Sequence, residues 1–212
     1  MATYPIKFDV PHRGLKWLEY YGDHKVYHPG WDLNRGFGEQ DLGDPIVSIL
    51  GGEVEYVSPE PSTLNGQNGG LGRFVVVYHP AYGIWSRCAH MSTTAVKVGQ
   101  KVEEGGLIGS LGKSGTKYAH CHFEVWKKAI YDIQVKHYRK FAYYPSGKTK
   151  AWVQDHYIDG LAFIDDLNKG NNWREQAEKW ASKYINDVEG FVGEPDGHKI
   201  IELIRKVFES KK

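Results

Sequence analysis

The chain has 212 residues, enough for one hydrophobic core of ordinary domain size plus a small appendage. Lys and Arg number 27 against 26 Asp and Glu, so there is no overall basic field of the kind that draws in nucleic acid. Two cysteines, Cys88 and Cys121, are too few for a disulfide framework and form no C-x-x-C; no apolar run reaches membrane-spanning length, and the first ten residues lack the basic and apolar regions of a secretory leader.

The product expected from this is made as a soluble cytoplasmic protein with a reduced cysteine pair. Aromatic residues make up 14%, with 7 Trp and 14 Tyr, a composition suited to core and hairpin packing and to lining grooves that grip sugars or peptides. In chain order, the first notable stretch is His28-Pro-Gly-Trp-Asp32. Four-residue spacing would place His28 and Asp32 on one helix face, but Pro29-Gly30 disfavours a helix, so a turn or strand edge has to bring them together.

From residue 45 to 126 the sequence is a series of short β-rich runs separated by glycine turns, with expected strands at 46–50, 53–57, 73–79, 84–90, 107–111 and 120–126. Connections this short suit antiparallel hairpins. The stretch 58–72, rich in Pro, Ser, Asn and Gly, reads as an exposed loop that can line a groove. Beyond Trp126 come a mixed segment with a turn at Pro145-Ser-Gly147 and a short helix near 161–167 started by Asp159 as N-cap. Two further helices follow: one carries Trp173, Ala177, Trp180, Ala181, Tyr184 and Val188 on a single face, the other spans about 198–209. The expected organisation is therefore a mainly β domain over 1–168, with an antiparallel β-sheet core, and a C-terminal helical hairpin over 169–212.

In a strand, residues i and i+2 share a face, so His120 and His122 project side by side while Cys121 turns away. Alternation favours a buried apolar role for Cys121 over a ligand role. Two histidines and one carboxylate form a common catalytic zinc set that leaves a position for water, whose pKa the metal lowers to roughly 7. Other divalent ions fit the same ligands. Hydrolysis also needs groups to take a proton from water and support the developing oxyanion, and His90 and His120 are the available candidates. His12, His24, His79, His137, His156 and His198 fall outside this pattern and read as ordinary surface or core histidines.

The residues resemble a family in order as well as content. His28-Pro-Gly-Trp-Asp32-Leu is similar to an H-x-G-x-D-[LI] motif, Ala89-His90-Met91 to the end of a Y-x-H-L hairpin, Gly112-Lys-Ser-Gly115 to a G-x-[ST]-G turn, and His120-Cys-His122-Phe123-Glu124 to an H-x-H-F-E strand. Together they resemble the M23 metallopeptidases, the lysostaphin/LytM-type zinc endopeptidases of peptidoglycan, over about residues 27–126. Cys88 stands where Tyr is usual and Met91 where Leu is usual, both away from the ligands.

The resemblance implies one zinc ion per chain held by His28, Asp32 and His122, with His90 and His120 as the catalytic pair. One of the pair polarises or deprotonates the water and the other supports the tetrahedral intermediate. It implies an open groove on a small antiparallel sheet. The activity implied is hydrolysis of peptide bonds in peptidoglycan stem or cross-bridge peptides. A compact enzyme without a leader, acting on the wall after lysis or injection, suggests a monomeric phage endolysin or virion-associated lysin. The competing reading is a catalytically inactive member that binds cell wall or activates a partner hydrolase. The C-terminal helices read as either a buttress or a wall-binding or partner-binding module.

Overall fold

The computed structural model describes residues 2–7, 14–22, 25–36, 38–58, 70–137 and 141–169. The chain divides into two compact units, Met1–Asp165 and Asp166–Lys212, and most of the second lies outside the described residues. The expected helices beyond residue 170 therefore lie outside them too, as does most of the 58–72 loop.

The elements run β1 (Tyr20–Tyr21), β2 (Val26–Tyr27), β3 (Trp31–Leu33), β4 (Pro45–Val47), β5 (Gly52–Val57), β6 (Arg73–His79), β7 (Ile84–Met91), β8 (Thr93–Thr94), β9 (Lys101–Val102), β10 (Leu107–Ser110) and β11 (Cys121–Trp126). Then follow α1 (Lys128–Lys136), α2 (Lys150–His156), β12 (Tyr157–Ile158) and α3 (Gly160–Asn168). The main sheet is antiparallel in the order β12-β11-β7-β6-β5-β9, and β3 also pairs with β11. A smaller sheet, β4-β10-β8, and the β1-β2 ribbon complete the strands. No helix among the described residues is long and apolar enough to cross a membrane.

β7 and β11 are buried along their whole lengths, so the polar residues they carry, Ser86, Arg87 and His90 on β7 and His122 and Glu124 on β11, are enclosed with the apolar ones. One edge of β11 is covered by β7. The other is divided, with β3 opposite Cys121, His122 and Phe123, and β12 opposite Val125 and Trp126. Register places three pairs in succession on one face of β7 and β11: Ala89 with His122, Arg87 with Glu124, and Trp85 with Trp126. The last pair enters an aromatic core with Phe74, Ile130, Val153 and Tyr157, where Tyr131 of α1 stacks on Trp85 at 4.2 Å. A fully buried side chain the size of Trp126 contributes roughly 3–5 kcal/mol.

The expected strand at 73–79 coincides with β6, β7 runs one residue further than expected to Met91, and β11 begins at Cys121, leaving His120 just before it. β3 supplies the strand edge expected at Asp32, while β1, β2, β8, β9 and β12 have two residues each, too few to display alternation in the sequence. Helices α1 and α2 occupy the mixed segment. α1 has no side-chain N-cap and no acidic first turn, so it lacks the usual starting signals. α2 starts from Thr149, which accepts from the Trp152 amide, and α3 from Asp159, which accepts from the Ala162 amide, as expected.

Candidate metal centre

The His28–Asp32 segment is held from both sides. The His28 amide donates to the Glu19 carbonyl at 2.8 Å, and its carbonyl accepts from Leu18 at 3.0 Å. At Gly30 the backbone passes so close to β11 that a Cβ would lie 2.1 Å from the Phe123 carbonyl oxygen, so only glycine fits. The chain then enters β3, which sets Asp32 directly opposite His122.

Three ligand atoms meet there. Asp32 Oδ1 is 2.8 Å from His122 Nδ1 and 3.1 Å from His28 Nε2, and the two nitrogens are 3.1 Å apart. Ligands on a tetrahedral zinc at about 2.0–2.2 Å stand about 3.3 Å apart, so this triangle has the size of one face of such a shell. The donor chemistry, two imidazoles and a carboxylate, fits the same ion. Burial alone would raise the Asp32 carboxyl, but the charge on His28 and the hydrogen bonds from His122 and His28 hold it well below the usual carboxylate range.

His90 reaches the site through a bulge. Register between β6 and β7 moves from Arg73 opposite Met91 to Val75 opposite Cys88, which puts two residues of β7, Ala89 and His90, against Phe74 alone. His90 is left-handed, with φ 62°, a conformation costing about 1–3 kcal/mol in a non-glycine residue. Its Nδ1 lies 2.9 Å from the Ser114 carbonyl, and its own carbonyl accepts from the Ser114 amide at 3.3 Å. The Ser114 turn in turn presses on Gly72 (φ 61°), where a Cβ would stand 2.0 Å from the Ser114 oxygen.

His120 Nδ1 lies 3.0 Å from the Tyr118 carbonyl, and its Nε2 faces Asp32 Oδ1 at 3.6 Å. A carbonyl can only accept, so both histidines carry their proton on Nδ1 and keep the Nε2 lone pair. Their rings are 4.5 Å apart. Burial, followed by the nearby His120 and His122, pushes His90 down to about 3; burial also lowers His120, against the pull of Asp32. Both are neutral bases at pH 7.

All five histidine and aspartate residues line one open groove of about 400 Å³, together with Tyr21, Tyr144, Gly70, Leu71, Gly115 and Thr116. Behind the groove, His122 Nε2 is 2.6 Å from Glu124 Oε1; the other oxygen, Oε2, accepts from Trp126 at 2.5 Å. Arg87 donates to Glu124 at 2.6 Å and to the Phe141 carbonyl at 2.7 Å. Sequence reading assigned no role to Arg87, Glu124, Tyr21 or Tyr144. The available signal was a pair of opposite charges, Arg87 and Glu124, inside two otherwise uncharged strand interiors.

Cys121 is buried outside this cluster, its thiol pushed up by a hydrogen bond with Cys88 and by burial. His79 bonds to Ser86 in the sheet, His156 stacks on Trp152, and His137 stands edge-on to Tyr143; none of the three joins the groove. His12, His24 and His198 lie outside the described residues.

The profile of peptidase family M23 matches residues 26–134, a span that holds the three ligand candidates, both further histidines, and the β3, β7 and β11 strands that carry three of the five. The chain belongs to peptidase family M23.

As an M23 member it has His28, Asp32 and His122 as its candidate metal site. It is 33% identical over 84 residues to the cell division protein DipM of Caulobacter vibrioides, an alignment covering 39% of this chain and 12% of DipM. The chain thus spans about an eighth of that curated relative. The fold matches the catalytic domain of lysostaphin from Staphylococcus simulans with a TM-score of 0.50, at 18% identity over 74% of this chain and 94% of that one. A zinc-containing peptidase from Vibrio cholerae is 26% identical over 59% of this chain and 36% of its own length, with a TM-score of 0.44.

Proposed function

We propose that this chain is a zinc-dependent endopeptidase that hydrolyses peptide bonds in the stem or cross-bridge peptides of bacterial peptidoglycan. The observation that carries the reading is the convergence of His28, Asp32 and His122 beside His90 and His120 in one open groove, on the M23 fold. An ion bound by the three would supply Lewis acidity, polarising the scissile carbonyl and acidifying a water to roughly the neutral range.

The remaining work falls to the two histidines. With Nδ1–H tied to the Ser114 and Tyr118 carbonyls, each ring presents Nε2 as its only basic atom. The ring that takes the water's proton holds it at Nε2 and becomes a donor, able to return it to the leaving amine or to support the oxyanion. His120 has the Asp32 carboxylate at 3.6 Å to favour its charged form, whereas His90 is more strongly held neutral.

The finer parts of the reading are a phage endolysin or virion-associated lysin, acting as a monomer on the wall after lysis or injection, with 1–168 as the catalytic domain and 169–212 as a helical appendage that buttresses the sheet or grips the wall.

Purified peptidoglycan treated with the protein, with and without chelator, and read by mass spectrometry tests the activity. Fragments with new peptide amino termini and unbroken glycan are expected, and they should vanish with chelator. Identical fragments from folded Asp32→Ala protein would overturn the metal assignment. Wall binding without zinc or cleavage would instead establish an inactive binding or activating module. Comparing wall binding and cleavage before and after deletion of 171–212 assigns the C-terminal segment.

A further inference from the structure

The groove is only half of what surrounds His122. Immediately behind it, on the same face of β7 and β11, Arg87 and Glu124 form an ion pair in which both side chains have 0% exposure. The next pair along that face is Trp85 and Trp126, so an apolar pair at 87 and 124 would simply extend the core. Replacing a buried ion pair by apolar residues is often neutral or stabilising. Among the described residues Arg87 Nε even lacks a hydrogen-bond partner, so the pair is an expensive way to fill the space. Its geometry shows a different use. Glu124 Oε1 receives both Arg87 and His122 Nε2, each at 2.6 Å, and Oε2 receives Trp126.

We propose that Arg87 and Glu124 are positioning residues: Glu124 fixes the ring and tautomer of His122 so that Nδ1 faces His28 and Asp32, and Arg87 locks Glu124 while tying it to the wall of the groove. This rests on His122 being a metal ligand. An imidazole binds metal through an unprotonated nitrogen, and the bond made by its other nitrogen decides which one that is. With Nε2–H held by Glu124, Nδ1, which lies 2.8 Å from Asp32 Oδ1, is the nitrogen that gives up its proton and turns a lone pair toward the triad when metal binds. Arg87 and Trp126 each take a further acceptor site of the carboxylate, and the Arg87 guanidinium lies 4.9 Å over the Trp126 ring. Glu124 therefore has little room to follow His122 if the ring turns.

The second arm of Arg87 reaches the Phe141 carbonyl at 2.7 Å. Phe141 is left-handed at φ 59° and opens the segment whose Tyr144 and Ser146 line the groove. Gln134 pins the same segment by donating to the Tyr143 carbonyl at 3.0 Å and accepting from its amide at 2.8 Å. A single guanidinium thus joins the metal ligand's support to one side of the substrate groove.

Zinc affinity of the full chain, measured by competition with a chromophoric chelator, tests the first arm. Glu124→Gln, and the double variant Arg87→Met with Glu124→Leu that leaves no lone buried charge, should each bind zinc about 10–100-fold more weakly. His28→Ala serves as the reference for the metal site itself. If His28→Ala loses zinc while both other proteins stay within threefold of wild type, the positioning role is wrong. If His28→Ala also binds as wild type, the metal site is misassigned. In the unmutated zinc-loaded protein, nitrogen-edited NMR should show a His122 Nε2–H protected from solvent exchange, and rapid exchange there would overturn the proposal without any variant. Hydrogen exchange over residues 141–146 tests the second arm. It should accelerate in the double variant and not in Glu124→Gln, and unchanged exchange in the double variant would refute the tie to the groove wall.

Discussion

His79 and His122 are both buried histidines borne on strands of one sheet, yet they titrate in opposite directions. His79 ends β6, and burial pushes it down to about 4, only partly opposed by the Gly51 carbonyl 3.3 Å from its Nδ1. Burial lowers His122 too, but its hydrogen bonds to Asp32 and Glu124 more than offset this and raise it to about 9. Burial is common to both, so the charge of the partner decides the direction. His90 divides the possibilities further. Like His79 it has a carbonyl on Nδ1 and is held neutral, but the His79 Nε2 is taken by Ser86 at 2.8 Å whereas His90 lies against the groove. A structural histidine, a proposed base and a candidate ligand thus differ by what the second nitrogen meets.

The strongest way to break this contrast is Asp32→Ala. Bound zinc measured by elemental analysis should fall from one per chain to none, and hydrolysis of purified peptidoglycan should become undetectable, because the ligand set loses its carboxylate. His90→Ala should keep its zinc and lose about 10²–10⁴-fold in rate, the usual range for a removed acid-base group. Zinc loss in that variant would move His90 from the base class into the ligand class. Gly72→Ala tests the support of His90: the added Cβ meets the Ser114 oxygen and the backbone is left-handed, so the variant should lose on the order of 3 kcal/mol in urea unfolding. Its rate should fall at the same time as Ser114 is displaced from the His90 ring.

The smallest effect concerns His79. Its folded pKa lies near 4 and its unfolded pKa near 6.5, so the unfolded state binds more protons between those values. The contribution of neutral His79 is fully present above pH 6.5 and is lost as pH falls toward 4. Between pH 7 and 5 the wild type should therefore lose about 2 kcal/mol from this group, and His79→Gln should lack that part of the acid limb. Equal slopes in the two proteins would show that the ring is already protonated when folded.

What was legible in the sequence was what long, uninterrupted runs and residue order can carry. Residues 73–79 show seven strand-forming positions between glycine-containing turns, and β6 has those bounds. The five site residues were legible through motif order, and the structure brings all five to one groove. The way they meet was hidden. β3 has three residues and pairs with a strand about ninety positions away, a contact that local periodicity does not encode. The bulge at His90 depends on register against β6, and the Arg87–Glu124 contact depends on register between β7 and β11. Two charges in separate strands do not announce that they face each other.

The close pass of Gly30 over Phe123 also bears on protein engineering. A retargeting library that randomises the His28–Asp32 loop would discard most of its members at position 30, where any Cβ meets the Phe123 carbonyl at 2.1 Å and the Glu124 Cγ at 2.9 Å. Such a library should hold Gly30 constant and place its diversity at Tyr21, Thr116 and Tyr144, which line the groove.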